Sequence, residues 1–528
     1  MSMQNYLPRA AAVLCILAGP ALHPACAAER IALDGGGALV LDKHGLRLSD
    51  AAGKELAHLP LRAKQLDART SEGRGIAVVL DADTQHAQPV RVDLARAELA
   101  LLAPLPQQPF GVQGLCLFRD RQGLDFLFVA ARDGQAEQWL MHGAAPQRVR
   151  TLSMPPDGGQ CRVDDARHAL YVDEKGVGTW AYEADSEALP ARRLLKAGAR
   201  LPAAAPASPT AVVAPRAQTE PVARLGDVAD DPAIWVHPRD ASRSRVLGTN
   251  KKQGLMVYDL QGQQRQFLDV GRLNNVDLRQ GVNMDGAVLD LAVASRRDDN
   301  SVVLFGLDAD GTVAELARFA TGLAQVYGIC LFQPRDGGLE VIVNDKGGAF
   351  RQFRIARSGA AWSGTLARAF KVDSQPEGCV ADDRNERLFI GEEKRGVWTL
   401  AARADRPATR KMVLGVGRDL RADVEGMALY QGAQGAYLIV SSQGDSSYVV
   451  LDAQAPYKVR GRFKVGFNLA EGIDGTSDTD GLEATAHNLG AAYAQGMLVI
   501  QDGYKRMPDG PQNFKYLSWE DVARALNL

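Results

Sequence analysis

The sequence predicts an all-β protein built by radial repetition of short strands, and three observations carry that prediction. Short apolar segments alternate with Gly- and Asp-containing turns almost throughout, as in SRVLGT, GLMVYDL, VVLFGLD, LEVIVND, RLFIGEE and AYLIVSS. Such runs, bounded by turn signals like DLQG, DADG and PRDGG, read as strands. Long helical periodicity is almost absent. The chain also repeats itself at long range, in order and at nearly constant offset. Many short strands with Gly-rich turns favour a β-propeller over the alternative, a β-sandwich, which seldom needs so many.

The bulk numbers are compatible with this. A chain of 528 residues has room for two or three domains. The formal net charge of -2 implies no basic face, so nucleic acid is not an expected partner.

The elements follow in chain order. Residues 1–28 read as a signal peptide: Arg9 is followed by an apolar run from Ala10 to Leu22, and Ala25-Cys26-Ala27 is a small-x-small cleavage site. The expected location is secreted or periplasmic. No later run is long and apolar enough to span a bilayer. Residues 29–200 form a first β domain, too short for six blades. Residues 201–216, LPAAAPASPTAVVAPR, read as a linker. Residues 217–528 form the second copy, with room for six blades of about 45–50 residues. Its expected closure pairs the strand near AIWVHP with the strand near GMLVIQDG, because a ring must remove its free edges. The tail, SWEDVARAL, reads as a helix with Ser518 and Asp521 as a capping box.

The duplication is visible in matched stretches. VQGLCLF (112–118) matches VYGICLF (326–332), and CRVDDARHALYVDEKGVGTW (161–180) matches CVADDRNERLFIGEEKRGVW (379–398). The four cysteines beyond the signal region obey the repeat: Cys116 aligns with Cys330, and Cys161 with Cys379. Either the same core slot is used twice, or each copy has its own bridge. No CxxC pair suggests structural zinc.

Polar clusters in the second copy sit where strands end. They comprise Asp227, Asp230 and Asp231; Asn250, Lys251 and Lys252; Arg272, Asn274, Asn275 and Asp277; Arg296 and Arg297; Tyr327; Lys346; Glu377; Glu392 and Glu393; Asp423 and Glu425; and Gln443. Any one alone is a solvated turn. At one end of a propeller they converge. Carboxylates and backbone carbonyls suit Ca²⁺, while Arg and Lys suit phosphate oxygens. A purely acidic cluster cannot accept a phosphate until a cation neutralises it. LAEGIDGTSDTDGLEATA (469–486) crowds Asp474, Asp478, Asp480 and Glu483 together, and the expectation is that calcium holds them. No GxSxG elbow with a triad is present.

ADDPAIWVHP, GTNKKQGLMVYDL, GRLNNVDLR, QPEGCVADD, DVEGMALY, SSQGDSSY and GTSDTDG resemble the β-propeller phytases over about residues 225–528. That resemblance implies a six-bladed propeller that removes phosphates stepwise from myo-inositol hexakisphosphate. The chemistry it implies needs several Ca²⁺ ions and metal-activated water, without a covalent phosphoenzyme. By motif, Asp230, Glu377, Glu393, Asp423, Glu425 and Gln443 would form the catalytic set. Lys251, Lys252, Arg297, Tyr327 and Lys346 would bind substrate. The implied metal ligands are Asp230, Asp231, Pro232, Val276, Glu377, Glu393, Asp423, Glu425 and Asp474, with Asp474 beside the backbone oxygens of Pro232 and Val276. The expected partners are phytate and lower inositol phosphates as calcium complexes, bound by a monomer. The Gly347-Gly348 pair after Lys346 lacks an acidic side chain common in the family at that place, a departure that touches no residue expected to perform the central step.

The first copy differs at the matching positions. Gly159 stands for Glu377, Arg132 for Lys346 and Lys175 for Glu393, while Glu174 is retained near the Glu392 slot. It resembles the incomplete, degenerate amino-terminal partner of tandem family members. Two rival functions remain for the second copy: a noncatalytic calcium-dependent propeller that binds anionic glycans or a protein, and a calcium-dependent lactonase. Neither needs Lys251, Arg297 and Lys346 interleaved with Glu377, Glu393 and Glu425.

Overall fold

The computed structural model describes residues 28–143, 145–158, 161–195, 210–433 and 435–528. Almost all of the expected signal peptide, residues 201–209 of the expected linker, and Gly159 lie outside the described residues. The protein is all-β, with one α-helix, Trp519–Leu526, among the described residues. The chain divides into two compact units, residues 1–186 with 190–203, and residues 187–189 with 204–528.

The first unit has four antiparallel four-stranded sheets, each laid down in chain order. Their first strands are Glu29–Ala32, Ala63–Ser71, Val112–Arg119 and Cys161–Asp164.

The second unit has six sheets. Their first strands are Ala229–Trp235, Leu273–Met284, Val326–Phe332, Pro376–Asp382, Val424–Gly432 and Leu482–Thr485. Each first strand lies against that of the next sheet, and Leu482–Thr485 lies against Ala229–Trp235. Sheets of this kind are apolar on both faces, so their middle strands read as continuous hydrophobic runs; every residue of Leu339–Asp345 is buried. The core is accordingly split into six apolar clusters, one between each consecutive pair of sheets. The last of these packs Tyr258 and Val246 of the first sheet against Phe514 and Val499 of the sixth. The six first strands therefore bring their amino-terminal ends together.

Three expectations are corrected here. Ala229–Trp235 does not pair with the GMLVIQDG strand. It pairs with Arg245–Asn250, while Met497–Asp502 pairs with Leu482–Thr485 and Asn513–Ser518. The sixth sheet takes its outer strand from Ala217–Gln218, antiparallel to Asn513–Ser518. Ala229–Trp235 is the first strand of its own sheet, and the edge of Asn513–Ser518 is covered by Ala217–Gln218 instead. The second half of the expected linker is also not linker. Thr210–Val213 runs parallel to Val459–Val465 as a fifth strand, because its β-branched residues can cover the edge of that sheet. Thirdly, the capping box at Ser518 does not form. Arg216 takes both oxygens of Asp521 instead, at 2.8 and 3.0 Å.

The two units repeat one network of partly buried polar groups. In the first, Asp67 accepts from the Leu117 amide at 2.7 Å, and Arg69 donates to Leu117 O and Asp165, both at 2.7 Å. In the second, Asp277 accepts from the Leu331 amide at 2.8 Å, and Arg279 donates to Leu331 O at 2.8 Å and to Asp383 at 2.7 Å. The Arg150–Gln138–Ala184 and Arg368–Gln352–Ala402 chains match in the same way. Each unit holds one disulfide, Cys116–Cys161 and Cys330–Cys379, between adjacent sheets. Of the two alternatives open for the cysteines, a bridge in each copy is the one found.

Candidate active site

One local device places the polar side chains. In five sheets of the second unit the first strand begins with a bulge against the second. Ala229 pairs with Asn250 but Pro232 with Gly248, and the same slip recurs at Leu273/Val276, Val326/Ile329, Pro376/Cys379 and Val424/Met427. A bulge re-aims the residue within it. The residues at this position are Asp230, Asn274, Tyr327, Glu377 and Glu425. Asp480, just before Leu482–Thr485, takes the place in the sixth sheet; the next residue, Gly481, packs against Asp230 and Asp231. Glycine follows four of the six for a steric reason. A Cβ on Gly328 would lie 1.9 Å from Glu377 O, and one on Gly481 would lie 2.1 Å from Asp231 Oδ1.

A second set of positions follows the second strand of each sheet. Lys251, Arg297, Lys346, Glu393, Gln443 and Gly503 each donate a backbone N–H to the stretch before the first strand of the same sheet, at 2.7 to 3.2 Å. Five of the six were singled out from sequence, in separate motifs. The fold makes them one structural position repeated around the unit.

Their electrostatics are dominated by crowded carboxylates. Glu377, Glu393 and Glu425 are all buried, and each offers an oxygen within 4.8 Å of the others. Asp230 is fully buried, and neither of its oxygens accepts a hydrogen bond; Oε2 of Glu425 also lacks one. Lys251 Nζ contacts Asp227 and Asp480 at 2.7 Å and stands 3.7 Å from Asp230. Burial pushes the Asp230 carboxyl up, and Glu377, Asp480 and Asp231 add to this against Lys251. Burial, then the charge of Glu377, holds Glu425 well above the usual range. Burial raises Glu393 to about 7, with Glu377 and Asp423 adding and a 2.6 Å bond from Gln375 opposing. Asp480 is raised to about 7 by burial, against the pull of Lys251. Buried, mutually repelling carboxylates, with the oxygens of Asp230 and Oε2 of Glu425 lacking a hydrogen bond, suit a hard divalent cation.

The remaining expected residues are distributed as follows. Asp423 pairs with the exposed Lys394, and its backbone oxygen accepts from the Gln443 amide. Gln443 Nε2 donates to Asp480 at 2.8 Å. Lys346 Nζ sits 4.3 Å from the Tyr327 ring centroid. Burial and the acidic neighbours keep the Tyr327 hydroxyl protonated. Lys252 is exposed and donates to Leu225 O at 2.5 Å. Asp231, Pro232 and Val276 line a separate cavity of about 20 Å³, where Asp231 Oδ2 accepts from the Val276 amide at 3.1 Å.

Asp474 is corrected. It does not line that cavity with Pro232 and Val276. It is fully buried against Lys515, whose Nζ lies 2.7 Å from Asp474 and 3.1 Å from Asp502, and it also accepts from the Arg506 amide. An ammonium group thus already neutralises it. The crowded carboxylates of residues 469–486 turn to different protein partners: Asp474 goes to Lys515, and Asp480 to Lys251 and Gln443.

Sequence reading missed the roles of Asp480 and Asn274. The signal was present in six aligned tetrapeptides, ADDP, LNNV, VYGI, PEGC, VEGM and TDGL, whose second residue enters the site each time.

Residues 188–528 match the family described as Phytase. A 3-phytase from Bacillus subtilis (strain 168) is 38% identical over 325 residues, covering 58% of this chain and 84% of that protein. Among solved structures, a gluconolactonase from Xanthomonas campestris aligns with 59% of this chain and 98% of its own, at 14% identity and a TM-score of 0.36. The family match, over residues 188–528, takes in all six sheets of the second unit and its helix, and the chain belongs to the phytase family.

Proposed function

We propose that the second unit is a closed six-bladed β-propeller acting as a calcium-dependent phytase, which hydrolyses phosphate monoesters stepwise from myo-inositol hexakisphosphate. The observation that carries this reading is the buried cluster of Glu377, Glu393 and Glu425 near Asp230, in which both oxygens of Asp230 and Oε2 of Glu425 lack hydrogen bonds. The cyclic order of first strands and the six inter-sheet clusters support the propeller.

Asp230, Glu377, Glu393, Glu425 and Asp423 would hold Ca²⁺, with Asp231 and the backbone oxygens of Pro232 and Val276 holding a further ion. Bound Ca²⁺ would neutralise the cluster, polarise phosphate oxygens and supply a nucleophilic water. The chain's own part is positioning, which is most of what phosphoryl transfer needs. Lys251, Arg297 and Lys346 follow one another on consecutive sheets, so they present fixed cations along one flank of the acidic cluster. A polyanionic substrate can then lay one phosphate on the carboxylate side while neighbouring phosphates meet ammonium and guanidinium groups. The protonated Tyr327 hydroxyl can donate to a phosphate oxygen, and its ring face steadies Lys346. Gln443 keeps Asp480 turned toward Lys251.

The first unit is read as a degenerate partial propeller without the acidic set, and the amino-terminal residues as a signal for export to the periplasm or the medium. The test is phosphate release from calcium phytate by the purified protein, before and after chelation. Release that stops with chelator and returns with Ca²⁺ is expected. No release from folded, calcium-loaded protein would leave a noncatalytic binding propeller instead.

A further inference from the structure

Asn274 has no part in the reading above, yet its side chain joins the two halves of the site. It holds the bulge position occupied elsewhere by Asp230, Tyr327, Glu377, Glu425 and Asp480, and it is the single amide among the six. It is fully buried. Its Nδ2 donates to Glu377 Oε1 at 2.8 Å and to Asn275 Oδ1 at 2.8 Å. Its Oδ1 accepts from Arg297 Nη1 at 3.2 Å.

A carboxamide is suited to this place because it donates to an acid and accepts from a base at once. An acid here would repel Glu377, and a base would repel Arg297. The bond to Glu377 takes one carboxylate oxygen and fixes the rotation of the group. The bond from Arg297 ties down one nitrogen of a long side chain, so the remaining N–H groups are presented in one place.

We propose that Asn274 is a positioning residue that couples the acidic cluster to the phosphate-binding flank through Glu377 and Arg297. The inference rests on the phytase reading. It predicts that one side chain, touching neither cation nor substrate, governs the affinity for both.

The test uses the whole chain and three quantities: kcat, KM for phytate, and the Kd for Ca²⁺ measured by calorimetry without substrate. Asn274→Leu keeps the approximate volume and removes both bonds. Both KM and the Ca²⁺ Kd should rise about tenfold, the usual worth of a hydrogen bond to a charged group. Asn274→Asp keeps the acceptor for Arg297 but repels Glu377. Its KM should stay within about twofold while kcat falls about tenfold, a split that a merely structural role would not produce. Arg297→Met should raise KM, and adding Asn274→Leu to it should raise KM no further. Unchanged KM and Ca²⁺ affinity in Asn274→Leu would overturn the proposal, as would multiplicative effects of Asn274→Leu and Arg297→Met. If Asn274→Leu loses its cooperative melt, Asn274→Asp decides alone, and a raised KM with unchanged kcat would overturn it. A wild-type protein that binds Ca²⁺ but releases no phosphate would end the phytase reading. The Ca²⁺ Kd of the two Asn274 variants would still judge the coupling to Glu377.

Discussion

Glu377 is the residue at which the acidic cluster, the amide bridge and the bulged backbone meet. Glu377→Gln keeps the shape and removes the charge. Phosphate release should fall at least about a hundredfold and Ca²⁺ binding should weaken, checked by phosphate assay and calorimetry. Titration gives a second expectation. Glu393 and Asp480 are both raised to about 7 without bound cations. Between the ordinary carboxylate range and about 7, the native state then holds more protons than the unfolded one. Their contribution to stability is present at low pH and lost as pH rises through about 7. The Tm of calcium-free protein should therefore fall from about pH 5 to about pH 8, and saturating Ca²⁺ should flatten that slope. A calcium-free Tm that rises over this window would contradict it. At this scale the sequence was readable where one acid stands alone in its motif, as in PEGC or VEGM. It was not readable in LAEGIDGTSDTDG, where several carboxylates share similar spacing and only the sheet register separates them. Asp474 was misassigned because its counterion, Lys515, stands 41 residues further along.

The strands were legible because both their faces are apolar and their turns are rich in Gly and Asp. Their partners were less so. The outer strand of the sixth sheet, Ala217–Gln218, consists of two residues with no strand-like pattern of their own. Thr219→Pro removes the amide bond to Phe514 O and the hydroxyl that accepts from the Phe514 amide. It should cost about 1–3 kcal/mol and speed amide exchange in Asn513–Ser518, leaving Leu339–Asp345 protected. The helix was visible from its periodicity, whereas its cap was not, since Arg216 competes for Asp521 from 305 residues away. The disulfides are likewise element-scale fasteners. Replacing Cys330 and Cys379 by Ser opens a loop of 49 residues and should cost about 4 kcal/mol in chemical denaturation. The same change at Cys116 and Cys161 should leave the melting of the second unit unaltered.

For the whole molecule, the family match takes in every residue of the second unit except Glu187. Residues 187–528 expressed alone should release phosphate from phytate at a rate within about threefold of the full chain, since every residue of the proposed site lies within them. Residues 29–186 alone should release none. The duplication was legible as matched motifs, and the paired networks of Arg69 and Arg279 give it a physical meaning, because the same inter-sheet fastening is used twice. The outer strand Ala217–Gln218 has a further consequence for how the molecule comes into being. Thr219 and Phe514 are 295 residues apart, so the sixth sheet can be finished only after Phe514 has been made. Asp480 belongs to that sheet, and Lys251 waits for it as a counterion. The proposed phosphate site is therefore acquired late, and a chain cut short before Phe514 lacks a complete sixth sheet to hold it.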